Sequence, residues 1–189
     1  MIKVKLAAGN LLTEVAEVKR VMLFIDGSNF YHNLKQHYKK TQIVFALLVD
    51  KLTGNDRELV RTYYYNSPID RNMNEEEYRK QQKFFERIKR IDCFEIKLGR
   101  LQNNEDGSKK EKGTDVNIAV DMITKAYKDQ YDVAILISGD ADLAQVVQEV
   151  KDLAKHVELV VVPGQKCYHL RDTVDRVITI DKTYDDCWL

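Results

Sequence analysis

At 189 residues the chain is long enough to bury a core without disulfide or metal staples and short enough for one domain. Its 30 Lys and Arg cancel 30 Asp and Glu, so no global field draws it to nucleic acid or an anionic membrane, and any such attraction must come from local patches. The three cysteines, Cys93, Cys167 and Cys187, are far apart with no C-x-x-C spacing, which argues against a disulfide framework and a thiolate zinc site and fits a reduced compartment.

The first twenty residues, MIKVKLAAGNLLTEVAEVKR, mix acids into what would have to be a clean signal-peptide core, and no apolar run approaches a membrane span. A cytoplasmic protein is expected, with residues 1–20 as an N-terminal extension, one domain over 21–181 and a tail over 182–189. Beyond the extension, apolar β-branched runs alternate with segments of helical period, the pattern of a parallel sheet covered on both faces.

Val21 to Ile25 reads as the first buried strand. The stretch SNFYHNLKQHYKK follows as a helix with Ser28 as N-cap and Phe30, Leu34 and His37 or Tyr38 on one stripe. IVFALLVDKLTG predicts a short helix closed by Gly54. Glu58 to Tyr65 has strand composition and ends before Pro68. Asn74 to Ile91 predicts a long charged helix with Tyr78, Phe84, Phe85 and Ile88 inward, and Phe94 to Leu101 a half-covered strand near an edge.

QNNEDGSKKEKG then reads as a polar loop in which Asp106-Gly107 is a hairpin-turn candidate. Thr114 is expected to cap a helix reaching about Lys128, with Val116, Ile118, Ala119, Met122, Ile123 and Ala126 as its apolar face. Val133 to Ile137 is the cleanest strand, Ala141 to Leu153 a helix and Val157 to Val162 another buried strand. Pro163-Gly164 reads as a turn, Leu170 to Val174 as a short helix and Val177 to Ile180 as the last strand. The expected fold is a three-layer α/β/α sandwich with a mostly parallel sheet of five or six strands.

Two strands end on acid: VMLFIDGSNFY on Asp26, VAILISGDADL on Asp140 and Asp142. In an open parallel sheet, ligands bind at the carboxyl ends of strands where neighbouring connections diverge to opposite faces. If these two strands are neighbours the carboxylates stand together, joined by Asp115 from KGTDVNIAVDM. Crowded carboxylates resist ionisation unless a cation reverses the electrostatics. Oxygen-only ligands suit Mg²⁺ or Mn²⁺, the standard apparatus for in-line attack on a phosphodiester, whereas His32, His37, His156 and His169 fall in no zinc-like spacing. Ser28, Asn29 and Ser138 supply neutral polar groups around the same crevice.

The plainer reading is that an Asp after a strand is a helix N-cap. That serves Asp26 or Asp142 singly, but one helix end does not need both Asp140 and Asp142. Asp121 lies about 120° round an ideal helix from Asp115, so it is expected to orient rather than to coordinate.

IDGSNFY, KGTDVNIAVDM and SGDADL, in that order, resemble the three acidic motifs of the NYN domain, the LabA-like branch of the PIN-like nuclease superfamily, over Val21 to Asp181. The closing DTVDRVITID resembles the family's last helix and strand, with Leu170 and Asp175 in the usual pattern. Where the family more often carries serine and phenylalanine the chain has Ala141 and Leu143. The resemblance implies a PIN-like fold and a metal-dependent ribonuclease site. In it Asp26, Asp115, Asp140 and Asp142 match the family's acids, Asn29 its motif asparagine and Asp121 its second helix acid.

The expected partner is therefore RNA, single-stranded by preference, with no membrane and a homodimer left open. Lys109, Lys110 and above all Lys112 are the candidate cations beside the acids. Arg71, Arg79, Lys80, Lys83, Arg87, Lys89 and Arg90 give the long helix a basic surface, although Glu75, Glu76, Glu77 and Glu86 interleave it and a salt-bridged solvated face is the commoner meaning. Tyr63, Tyr64 and Tyr65 alternate faces in a strand, with at least one in the core and another available for base stacking, and Tyr31 and His32 could border the cleft.

The alternatives are a non-catalytic RNA-binding or regulatory module that keeps the acidic cleft, and a phosphoryl-transfer enzyme acting on a small ester. The haloacid-dehalogenase signature wants a second Asp where this chain has Ser28, and no G-x-G-x-x-G follows the first strand, which ranks a dinucleotide-binding protein lower still.

Overall fold

Strands that are apolar on both sides need a covering layer on each face, and the chain supplies one of three helices on either side of a single sheet. The computed structural model describes residues 17–103 and 109–188. In chain order the elements are β1 (Lys19–Asp26), α1 (Gly27–Asn33, prolonged by a π-helical turn Leu34–Tyr38), α2 (Phe45–Thr53), β2 (Arg57–Asn66), α3 (Glu75–Ile88) and β3 (Phe94–Leu98). The short strands β4 (Arg100–Asn103) and β5 (Lys109–Lys112) follow, then α4 (Thr114–Tyr127) and β6 (Val133–Ile137). A 3₁₀ turn (Ala141–Leu143) leads into α5 (Ala144–Asp152), β7 (His156–Val161), α6 (Tyr168–Thr173) and β8 (Arg176–Thr179), and a final 3₁₀ segment spans Lys182–Cys187.

The sheet has six strands in the order β3-β2-β1-β6-β7-β8, all parallel. From β1 the chain winds outward one way through β2 and β3. It then returns to lay β6 against the other side of β1 and winds out through β7 and β8. Residues of β1 alternate between the two cores: Val21, Leu23 and Ile25 join Phe30, Leu48 and Phe85 from α1 to α3. Met22 and Phe24 join Ile118, Met122, Val147 and Leu170 from α4 to α6. The helix after β1 thus lies on one face and the helix after β6 on the other, which opens a crevice at their carboxyl ends. Truncating a fully buried residue such as Phe24 to alanine would cost about 3–5 kcal/mol by the usual core-cavity rule.

The structure corrects several local readings. Ser28 does not cap α1; Asp26 does, accepting from the Asn29 amide, and the Ser28 hydroxyl donates to Asn66 Oδ1 at 3.0 Å instead. Thr114 is the first residue of α4 rather than its cap: Gly113 at φ 89° precedes it, and the Thr114 hydroxyl bonds that of Ser67 at 3.2 Å. Val116 is 63% exposed, so the inward face of α4 is Ile118, Met122 and Ala126, with Ile123 partly buried against the same core. The edge strand stops at Leu98, and Gly99, whose N–H still bonds the Asn66 carbonyl at 2.8 Å, passes so close to Thr114 and Lys112 that a Cβ would lie 2.8 Å from Thr114 Oγ1. The following residues pair instead as an antiparallel β4–β5 hairpin in the register Arg100↔Lys112 to Asn103↔Lys109. Asp106-Gly107 falls outside the described residues, as do residues 1–16 of the expected extension. All three consecutive tyrosines, Tyr63, Tyr64 and Tyr65, are buried. The C-terminal segment packs on the domain, with Cys187 buried and the Trp188 ring stacked on Tyr38 at 4.9 Å.

Candidate acidic site at the switch point

Register places Ile25 of β1 beside Ile137 of β6, so the next residues, Asp26 and Ser138, end adjacent strands side by side. Asp26 is only 4% exposed. Its Oδ1 accepts the Asn29 N–H at 3.1 Å and its Oδ2 accepts the Ser138 hydroxyl at 3.1 Å. That same Ser138 oxygen accepts the Asp140 N–H at 3.1 Å, so one buried hydroxyl ties both strand-end acids together. Asp140 Oδ1 in turn accepts the Asp142 N–H at 3.0 Å and caps the 3₁₀ turn.

The crevice is braced from both sides. Asn29 Oδ1 accepts the Gly139 N–H at 2.8 Å, which fixes the first turn of α1 to the end of β6. The Gln165 side chain lies over Gly139, its Nε2 2.1 Å from where a Cβ would stand, so a larger residue there would displace that glutamine. Gly27 is similarly constrained by the Tyr64 ring, 2.3 Å from where its Cβ would stand.

Electrostatics single out Asp26. Burial is the main cause that pushes its carboxyl up to about 6; the bonds from Asn29 and Ser138 pull the other way, and the charges of Asp115 and Asp140 push it further up. Among the described residues no Lys, Arg or His pairs with it. Asp115, in the first turn of α4, is exposed but near enough for its charge to act on Asp26. Asp142 is exposed, and the charges that raise Asp26 are those of Asp115 and Asp140.

Asp121 lies in different company. It accepts from Lys97 Nζ at 2.6 Å, the Tyr65 hydroxyl at 2.7 Å and Lys125 Nζ at 3.0 Å. Burial raises its carboxyl, but these three donors outweigh it and leave it below the ordinary aspartate range. Lys112 is exposed at the end of β5. Lys109 and Lys110 belong to that strand, but their side chains lie outside the described residues.

The oxygen-rich surroundings of Asp26 fit a hard divalent cation. Among the described residues, however, no three His, Cys, Asp or Glu side chains come together closely enough to hold an ion by themselves. Mg²⁺ characteristically keeps several waters and takes only one or two protein carboxylates directly, so an open arrangement of Asp26 with Asp115 and Asp140, whose charges both act on it, suits it better than a closed cage would. Sequence reasoning did not find Asn66, Tyr64 or Gln165 as parts of the surroundings. Gln165 follows the Pro163-Gly164 turn beyond a third parallel strand, and its position there was the only available signal.

A parallel sheet wound on both faces, with acids at its switch point, places the chain among the doubly wound α/β folds that bind ligands at the carboxyl ends of their strands. The NYN domain family model matches residues 20–181, and the chain belongs to that family, within the PIN-like nuclease superfamily. A crystal structure of a protein of unknown function from Vibrio parahaemolyticus is similar, at TM-score 0.73 and 25% identity over 94% of this chain and all of that one. A solved structure from Parabacteroides merdae aligns at TM-score 0.32 and 11% identity over 86% of this chain and 31% of that one, too loose a likeness to bear on the fold. No curated protein matches the sequence. Among the described residues no helix is long and apolar enough to cross a membrane.

Proposed function

We propose that the protein is a Mg²⁺- or Mn²⁺-dependent ribonuclease of the LabA-like branch, acting on single-stranded RNA in the cytoplasm through Asp26, Asp115, Asp140 and Asp142. The observation that carries this reading is Asp26: a buried carboxylate at the switch point, held by neutral donors, raised by two neighbouring acids and paired with no cation among the described residues. A divalent cation bound there would neutralise the phosphodiester and acidify an attacking water.

The chain's own groups do the positioning. Asp26, Asp115, Asp140 and Asp142 would hold the cation, and Ser138, bonded to Asp26 and to the Asp140 N–H, ties the strand-end acids together. Asn29 keeps the crevice walls together, Ser28 and Asn66 present polar groups at its edge, and Lys112 would meet a flanking phosphate. Asp121 is spent on Lys97, Lys125 and Tyr65 and acts by holding α4 to β2 and β3.

The test is cleavage of end-labelled single-stranded RNA in Mn²⁺, Mg²⁺ or chelator, with wild type beside Asp140→Asn. Metal-dependent cleavage lost in the variant supports the reading, and undiminished cleavage by both Asp26→Asn and Asp140→Asn removes it. A second reading is a non-catalytic RNA-binding or regulatory module that keeps the same acidic cleft and basic groove wall without turnover. Metal binding with no cleavage of any RNA or DNA would select it.

A further inference from the structure

Beside the acidic centre lies a groove of about 850 Å³ that the proposed chemistry leaves unused. It starts at Gly27 and Ser28, directly after Asp26, and runs between α1 and α3. Its volume is in the range of about 300–1,000 Å³ typical of organic ligand sites. Tyr64 and Asn66 form its floor, Tyr31 and His32 stand on the α1 side and Phe84 on the α3 side. Tyr31 is 46% exposed and lines the groove, which leaves its ring open to a ligand there.

The charges on α3 divide along its length. In the first half, Glu75 pairs with Arg71 and Arg79, and Glu76 and Glu77 pair with Lys80, a self-neutralised solvated face. Past Lys80 the pattern changes: Lys83 and Arg87, with Arg90 just beyond the helix, line the groove and make no ion pair among the described residues. Their spacing of four and three residues keeps them on one side. With Lys80 answered by Glu76 and Glu77, the remaining lining charges are Lys83, Arg87 and Arg90 against Glu86, so the groove wall is net positive while its mouth adjoins the acids. The helix that carries this wall is tied to the segment after β2, since Gln81 accepts from the Ile69 N–H at 2.9 Å and donates to the Ser67 carbonyl at 2.9 Å.

We propose that this groove binds single-stranded RNA next to the acidic centre, with an unpaired base against Tyr31 and Phe84 and its neighbouring phosphates on Lys83, Arg87 and Arg90; the assignment rests on the ribonuclease reading. A base can enter such a cavity only when it is out of a duplex, where its face is free to stack on an aromatic ring. Phosphates are the ligand chemistry that arginine and lysine on the wall select, and a cation held by the acids would favour them at the mouth as well.

The test is fluorescence anisotropy with a short labelled single-stranded RNA and full-length protein, in the Asp140→Asn background so that nothing is cut. Lys83→Glu with Arg87→Glu should weaken binding by at least about tenfold at low salt and flatten the slope of log K against log salt by about one to two. Tyr31→Ala should weaken it roughly tenfold with the salt slope unchanged. Arg79→Glu, on the self-paired part of the same helix, should stay within about twofold. Duplex RNA should compete far less well than single strand.

The proposal is overturned if the groove variants bind like their parent, if Arg79→Glu loses as much, or if duplex competes equally. Absence of any binding to single-stranded RNA overturns it too. Cleavage by the corresponding proteins with Asp140 intact separates the two claims. Metal-dependent cleavage with groove-independent binding sinks the groove alone, and groove-dependent binding without cleavage sinks the nuclease alone.

Discussion

Asp26 and Asp121 are two aspartates that the motifs group together, and the fold treats them in opposite ways. Asp121 sits between Lys97, Lys125 and the Tyr65 hydroxyl, and both lysines also lie over the Tyr63 ring, at 4.8 and 4.7 Å. Its charge is answered within the chain. Asp26 is more deeply buried, receives only an amide and a hydroxyl, and faces two more acids. A carboxylate of the first kind holds a structure together, whereas one of the second kind weakens the protein until something positive arrives from outside.

The largest contrast is in cleavage. Asp26→Asn should reduce metal-dependent RNA cleavage by about a thousandfold or more, several kcal/mol of lost charge stabilisation, while Asp121→Asn should keep most of it, measured as single-turnover rates on the same RNA. Equal losses in the two would erase the distinction. Stability should run the other way. Asp121→Ala leaves two part-buried lysines and a tyrosine hydroxyl without their acceptor and should cost about 2–3 kcal/mol in urea unfolding.

The pH dependence sharpens the same comparison. The folded-state carboxyl of Asp26 is raised to about 6 from 3.8, so the folded protein holds that proton more tightly than the unfolded chain does. Its contribution to stability is full below about pH 4 and is lost as pH rises through about 6, a loss on the order of 2–3 kcal/mol in metal-free protein. Asp26→Asn should therefore be more stable than wild type at pH 7.5 in chelator and lose that advantage near pH 4, which urea titrations at the two pH values would show. A variant less stable than wild type at both would contradict the account. The smallest effect belongs to Lys112→Ala: a few-fold rise in apparent KM with kcat nearly unchanged, as for one exposed phosphate contact.

How much of this could be read from the sequence depended on whether the signal was local. Strands buried on both faces, such as Val133 to Ile137, announce themselves by unbroken apolar composition, and the alternation with helical segments gave the parallel sheet. The strand-end acids were legible for the same reason, each being an abrupt polar stop after such a run. Competition for polar groups across the fold was not legible. The Ser28 and Thr114 hydroxyls look like caps in sequence, but Asn66 and Ser67, at the end of β2, take them. The apolar face expected for α4 was drawn too wide: Val116 stands about 120° round the helix from the middle of the Ile118, Met122 and Ala126 stripe and is exposed. The groove wall was half visible: the basic residues of α3 were evident, but only the ion pairs of its first half show which cations remain unspent.

The central claim is that Asp26 lacks a positive charge that a divalent cation supplies, and Mn²⁺ binding followed by isothermal titration calorimetry tests it without reference to any substrate. Wild type and Asp121→Asn should bind Mn²⁺ with similar affinity, and Asp26→Asn should show no saturable heat in the same range. Binding that survives Asp26→Asn, or that Asp121→Asn abolishes equally, would contradict the claim.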